Sequence, residues 1–129
     1  MRALLDTSIV VGLESGRSVP DPPEDAAVSV ITLEELALGV EMAALRGDDM
    51  VSAQRRLTLD LVATRFEVLP VTRAVALACA RIRAAGRAVG VRYPPFDAVI
   101  CATAHVHGLQ LLTQDAELAT VAGLDVRVV

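Results

Sequence analysis

The chain is 129 residues long, enough for one domain with a sizeable core, and its net charge is −4. Its basic charge comes from twelve arginines and no lysine. That excludes Schiff-base chemistry and the lysine of a phosphate-binding P-loop, and the acidic balance disfavours a broad, nonspecific nucleic-acid binder. Hydrophobic residues make up 53% of the chain but aromatics only 2%, so Ala, Val, Leu and Ile must fill the core, which suits helices packed on a parallel sheet.

Ala3-Leu4-Leu5 reads as a short buried strand ending at Asp6, with a helix starting near Thr7 and closed by Ser15-Gly16. The segment from Val19 to Asp25, with Pro20, Pro22 and Pro23, reads as a loop. A second strand covers Ala27 to Val30. Thr32 then opens a helix whose apolar stripe centres on Leu33, Ala37, Val40 and Ala44. Gly47 and Asp48-Asp49 break that helix, and Met50 to Ala63 forms the next. Phe66 to Val71 reads as a strand at a sheet margin, because Pro70 interrupts it. Thr72 to Ala85 is a helix with an almost wholly apolar middle, which predicts a central or interface position.

Gly86 to Phe96 reads as a loop, Asp97 to His107 as a helix stopped by Gly108, and Leu109 to Thr113 as a strand. A short helix or turn from Asp115 to Ala122 and a last strand from Val126 complete the chain. The alternation β-α-β-α-α-β-α-α-β-α-β predicts a single-domain α/β sandwich around a mostly parallel sheet. The longest charge-free stretch, Ala98 to Gln114, contains His105, His107, Gly108 and Gln110, so it is not a membrane span. No basic segment followed by a long apolar run opens the chain, which predicts no secretory leader. Cys79 and Cys101 fall in apolar helical patterns and read as free thiols of a cytoplasmic protein.

Ligands of open α/β sheets bind beyond the carboxyl ends of the strands. Asp6 directly follows a predicted strand, Asp115 follows one by two residues, Glu35 lies one turn into a helix after a strand, and Asp97 opens a helix. Each has an ordinary explanation: Asp6, Asp97 and Asp115 fit helix N-caps, and Thr32 with Glu35 fits a capping box. Together they form a cluster whose mutual repulsion a divalent cation would relieve, and oxygen-only ligands suit Mg²⁺ or Mn²⁺. Glu34 competes with Glu35, but the helical wheel puts Glu34 on a solvated flank and Glu35 on the face of Gly39.

Four blocks carry a resemblance along the whole chain: Asp6-Thr7-Ser8 after the first strand, Ser29 to Leu36 with Gly39 beyond, Asp97 to Ala104, and Leu111 to Asp115. In this order and spacing they resemble the PIN-domain family, and a chain of this size resembles its VapC-type toxin ribonucleases from VapBC toxin–antitoxin systems. The resemblance implies a PIN-like three-layer sandwich with catalytic, metal-binding acids at Asp6, Glu35, Asp97 and Asp115. Thr7, Ser8 and Thr113 would support them. It implies Mg²⁺- or Mn²⁺-dependent endonucleolytic cleavage of RNA by an activated water, a homodimer and a VapB-type antitoxin that blocks the site. Gln114, where many relatives carry a basic residue, and the loop Arg92 to Phe96 depart from the pattern.

Other features have competing readings. His105 and His107 suit a helix C-terminus, and their spacing of two is wrong for a shared helical metal site. Arg81, Arg83, Arg87 and Arg92 suit a solvated face or RNA phosphates equally. Leu38 and Met42 lie off the core stripe and suit a partner contact or chance exposure. The alternative to a nuclease is a non-catalytic PIN-like module binding protein or RNA. An aspartate phosphatase or phospho-acceptor ranks last, since Ser8 stands where a second Asp is wanted.

Overall fold

The computed structural model describes residues 2–129. Its elements run β1 (Ala3–Leu5), α1 (Thr7–Glu14), β2 (Ala27–Ser29), α2 (Val30–Leu45), α3 (Asp49–Arg65), β3 (Glu67–Leu69), α4 (Arg73–Ala88), α5 (Pro95–His107), β4 (Gln110–Thr113), a 3₁₀ turn (Ala116–Thr120) and β5 (Val126–Val128). The order of types is the one the sequence predicts. All neighbouring strands pair in parallel, in the order β3-β2-β1-β4-β5.

Strand β1 is central, and its residues alternate between two cores. Leu4 packs with Ala27, Leu69 and Leu111 under α4 and α5, among Val75, Ala78, Ile100 and Cys101. Leu5 packs with Val28 on the opposite face, with Ile9 and Val10 of α1, Leu36 of α2, and Val62 of α3. Helices therefore cover both faces, giving three layers. The chain moves outward from β1 to β2 and β3, then returns to the other side of β1 for β4 and β5. That reversal opens a crevice at the carboxyl ends of β1 and β4.

Several local expectations are corrected. β2 ends at Ser29, whose hydroxyl accepts the Ile31 N–H at 3.1 Å, so α2 starts before Thr32. Thr32 lies inside the helix and is fully buried, and there is no Thr32–Glu35 capping box. The buried stripe of α2 is Thr32, Leu36, Val40 and Ala43, about one position from the predicted one. β3 stops before Pro70, as a residue lacking an N–H dictates. α5 starts at Pro95, so Asp97 is its third residue and not its cap.

Helix α4 runs on to Ala88 and buries only Val75, Ala78, Cys79 and Gly86. It is a surface helix whose outer face, with Leu77 54% exposed, is open. Gly86 is inside the helix because the Tyr93 ring lies against it, where a Cβ would stand 2.8 Å from the ring and 2.9 Å from the Val91 carbonyl oxygen. The Tyr93 hydroxyl meets the Thr120 hydroxyl at 2.7 Å, fixing the loop that leads into α5. Gly86→Ala is expected to cost about 1–3 kcal/mol through this overlap, measured by denaturant unfolding.

Candidate active site

Asp6 follows β1 at the crevice and is only 4% exposed. It occupies the N-cap position of α1, but its side chain makes no capping bond. Instead its Oδ2 accepts from the Ser8 and Thr113 hydroxyls, each at 2.7 Å. Ser8 Oγ in turn accepts the Gln114 N–H at 3.0 Å, and Thr113 Oγ1 accepts the Asp115 N–H at 3.0 Å. Each hydroxyl thus gives its proton to Asp6 and receives one from the backbone leaving β4. The contact of 3.4 Å between the two hydroxyls is secondary, since both protons are already engaged.

Glu35 approaches from α2, and its Oε1 accepts from the Thr7 hydroxyl at 2.8 Å. Thr7 Oγ1 also lies 3.0 Å from Thr32 Oγ1. With the Thr7 proton committed to Glu35, Thr32 is the donor in that pair. Burial raises the Glu35 pKa against the lowering effect of Thr7, and the charges of Asp6 and Glu34 raise it further. Glu34 itself is exposed, so the structure places Glu35 and not Glu34 beside Asp6. The room left by Gly39 is filled by Arg55, whose Nη1 donates to the Gly39 carbonyl at 3.0 Å.

Asp97 projects from the first turn of α5 and is half-buried. Its pKa is raised to about 6, first by burial and then by the charges of Asp6, Glu35, Asp115 and Glu117. The four predicted acids therefore share one electrostatic neighbourhood, and Glu117 joins them. Asp115 does cap the 3₁₀ turn, its Oδ1 accepting the Glu117 N–H at 3.0 Å.

The hydrogen bonds divide these acids in a consistent way. Asp6, Glu35 and Asp115 each have one oxygen held by the protein, while Asp6 Oδ1, Glu35 Oε2 and Asp115 Oδ2 accept no hydrogen bond from the described residues. Neither oxygen of Asp97 does. Free carboxylate oxygens from four segments share this electrostatic neighbourhood, with no ion-pair partner among the described residues, and this donor set fits a hard divalent cation. Among the described residues no three potential ligands stand close enough to form a finished coordination shell.

Thr32 and Glu117 were missed by sequence reasoning. Thr32 reads in the sequence as a helix cap, and Glu117 stands in a turn with no periodic signal beyond its spacing of two from Asp115. His105 and His107 sit in the last turn of α5, about 12 and about 15 Å along the helix from Asp97. Cys79 and Cys101 are buried free cysteines. The Cys101 thiol is pushed up to about 12 by burial and by the charges of Asp6 and Asp97, which rules it out as a nucleophile.

The PIN domain family pattern matches residues 3–124, and the chain belongs to that family. Its sequence is 41% identical over 127 residues to ribonuclease VapC4 of Mycobacterium tuberculosis, covering 97% of this chain and 95% of that one. It is 43% identical over 105 residues to ribonuclease VapC8 of the same species, covering 80% and 90%. The fold matches a crystal structure from the VapBC family of toxin–antitoxin systems, VapBC-5 of M. tuberculosis. That match has a TM-score of 0.80 and 33% identity, over 99% of this chain and 97% of that one.

Asp97 has a consequence for stability. Its pKa is about 6 in the fold against 3.8 for the free side chain, so the folded state holds the proton more tightly. This contribution favours the fold below about pH 4 and is lost as the pH rises through about 6. In the presence of a chelator, Asp97→Asn should be more stable than the parent by about 1 kcal/mol at neutral pH, after discounting for solvent screening. The difference should vanish near the lower end of the window, as read by thermal unfolding at both pH values.

Proposed function

We propose that this chain is a divalent-metal-dependent endoribonuclease, acting as the toxin of a toxin–antitoxin pair. The observation that carries this reading is the set of free carboxylate oxygens on Asp6, Glu35, Asp97 and Asp115, gathered at the crevice without a cation of the protein's own. The relatives' names, ribonuclease VapC4 and VapC8, point to RNA as the substrate. Mg²⁺ or Mn²⁺ held by these acids would lower the pKa of a bound water and offset the charge that develops on the attacked phosphate.

The chain's own residues set the geometry for that chemistry. Ser8 and Thr113 fix the Asp6 carboxylate by occupying Oδ2, which leaves Oδ1 without a hydrogen bond from the described residues. Thr7, backed by Thr32, does the same for Glu35. Asp97 has no such tether. The packing of α5 holds it instead, with Ala98, Ile100, Cys101, Ala102, Thr103 and Ala104 all buried. An acid whose pKa lies near 6 is protonated in a larger fraction of molecules as the pH falls, so acidification weakens the site's affinity for a cation.

A VapB-type antitoxin and a second copy of the chain are the partners of this reading, supported by the likeness to the VapBC-5 toxin–antitoxin structure. Exposed apolar side chains on α2 and α3 agree with burial against a partner: Leu38 51%, Met42 45%, Leu45 81%, Met50 86%, Leu57 62% and Leu61 59% exposed. Among the described residues no helix is long and apolar enough to cross a membrane, and a cytoplasmic location follows from the toxin reading.

The test is incubation of partner-free protein with a small-RNA pool, with and without Mg²⁺ or Mn²⁺, beside Asp97→Asn. Discrete metal-dependent cuts are expected from the parent, with a loss of at least about 100-fold in the variant. Absence of cleavage with either metal, from protein shown to be folded, would favour a non-catalytic binding module.

A further inference from the structure

One flank of the acidic crevice carries a positive charge. After α1 ends at Glu14, Gly16 adopts φ 74° and the Arg17 N–H bonds back to the Gly12 carbonyl at 2.9 Å. The turn folds the Arg17 side chain along α1 toward the site, where Nη2 donates to the Ser8 carbonyl at 3.4 Å. Ser8 is the residue whose hydroxyl holds Asp6 and receives the Gln114 N–H. The guanidinium therefore lies one residue from the acidic cluster.

Gly12 lies beneath this approach. A Cβ there would stand 3.5 Å from Arg17 Nε, 3.1 Å from Gln114 Oε1 and 2.8 Å from Val19 Cγ2. Arg17 and Gln114 thus meet over the helix at the one position of α1 without a side chain. Among the described residues only Arg2 and Arg56 pair with a carboxylate, so Arg17 has no carboxylate within ion-pair distance. Its single protein hydrogen bond is long, and most of its five N–H donors remain open.

Resting on the ribonuclease reading, we propose that Arg17 is a substrate-binding residue that grips a phosphate of the RNA strand beside the one being cleaved. A site built from four carboxylates in a chain of net charge −4 repels a polyanion. A cation at its rim offsets that repulsion where the strand enters, and a planar guanidinium matches the paired oxygens of a phosphate. Gln114 beside it extends the same rim with a neutral amide.

The test uses the full chain and a short labelled single-stranded RNA of mixed sequence, with binding measured across a salt series in the Asp97→Asn background. Adding Arg17→Ala should weaken binding about tenfold at low salt and make the slope of log K against log salt shallower by about 0.7, the signature of one lost phosphate contact. Arg17→Lys should keep the slope and lose part of the affinity. In the active chain, Arg17→Ala should raise KM with kcat nearly unchanged. Arg46→Ala, at the far end of α2, should change none of these.

An unchanged slope and affinity in Arg17→Ala overturns the proposal. So does a loss of affinity that tracks a fall in Tm without a change in slope, because that is the behaviour of a structural clamp. A chain that cuts RNA with Arg17-independent binding would sink the Arg17 assignment and leave the nuclease reading standing. A chain that binds RNA with the Arg17-dependent slope but never cuts would do the reverse.

Discussion

Like charges crowded at one end of the sheet are the constraint around which this structure is organised. Asp6 follows β1, Glu35 lies just inside the helix after β2, Asp115 follows β4, and Asp97 enters from the start of α5. The strand order brings them together, because β1 and β4 are neighbours at the point where the chain reverses its direction across the sheet. Burial raises the pKa of Asp97 first, and the charges of Asp6, Glu35, Asp115 and Glu117 raise it further. A carboxylate as buried as Asp6 is tolerated because two hydroxyl protons point at one of its oxygens.

The hydroxyls solve a problem that arginine would solve differently. An arginine placed among the acids would neutralise them and occupy the oxygens a cation needs. Ser8, Thr113 and Thr7 orient the carboxylates while adding no charge, and each takes only one oxygen. The arginines are kept elsewhere. Five of them, Arg73, Arg81, Arg83, Arg87 and Arg92, lie in the stretch from Val68 to Phe96, which contains no acidic residue at all. Arg17 is the basic side chain whose hydrogen bond reaches a residue of the cluster. The low net charge of the whole chain therefore conceals a strong local separation of signs, and whole-chain charge is a poor guide to whether such a protein meets RNA.

Packing supplies the rigidity that the strands alone would not. Each strand is only three or four residues long. The weight falls on α5, which is buried through its middle with small side chains such as Ala98, Ala102 and Ala104, allowing close approach to the sheet and to α4. Small residues explain the near absence of aromatics. Tyr93 and Phe66 are the buried aromatics, and Tyr93 closes the loop into α5 by filling the space over Gly86 and bonding to Thr120.

The sequence alone determined the order of elements, the parallel sheet and the four acids. Hydrophobic runs and turn residues are local signals, and acids placed just after strands must share an edge if the strands are parallel. Glu35 was separable from Glu34 on a helical wheel for the same local reason. Only the tertiary structure decided which polar groups would be caps and which would be buried partners. Thr32 and Asp97 have cap-like residue types, yet Ser29 and Pro94 hold the cap positions. The outcome depended on what each side chain could reach across the fold: Thr32 met Thr7, and Asp97 met the other acids. Helix α4 shows the same limit, since an apolar run shows that a helix can be covered on every side but not what lies against it. The meeting of Arg17, Gly12 and Gln114 joins residues about a hundred positions apart, and no periodicity in the chain encodes a contact of that kind.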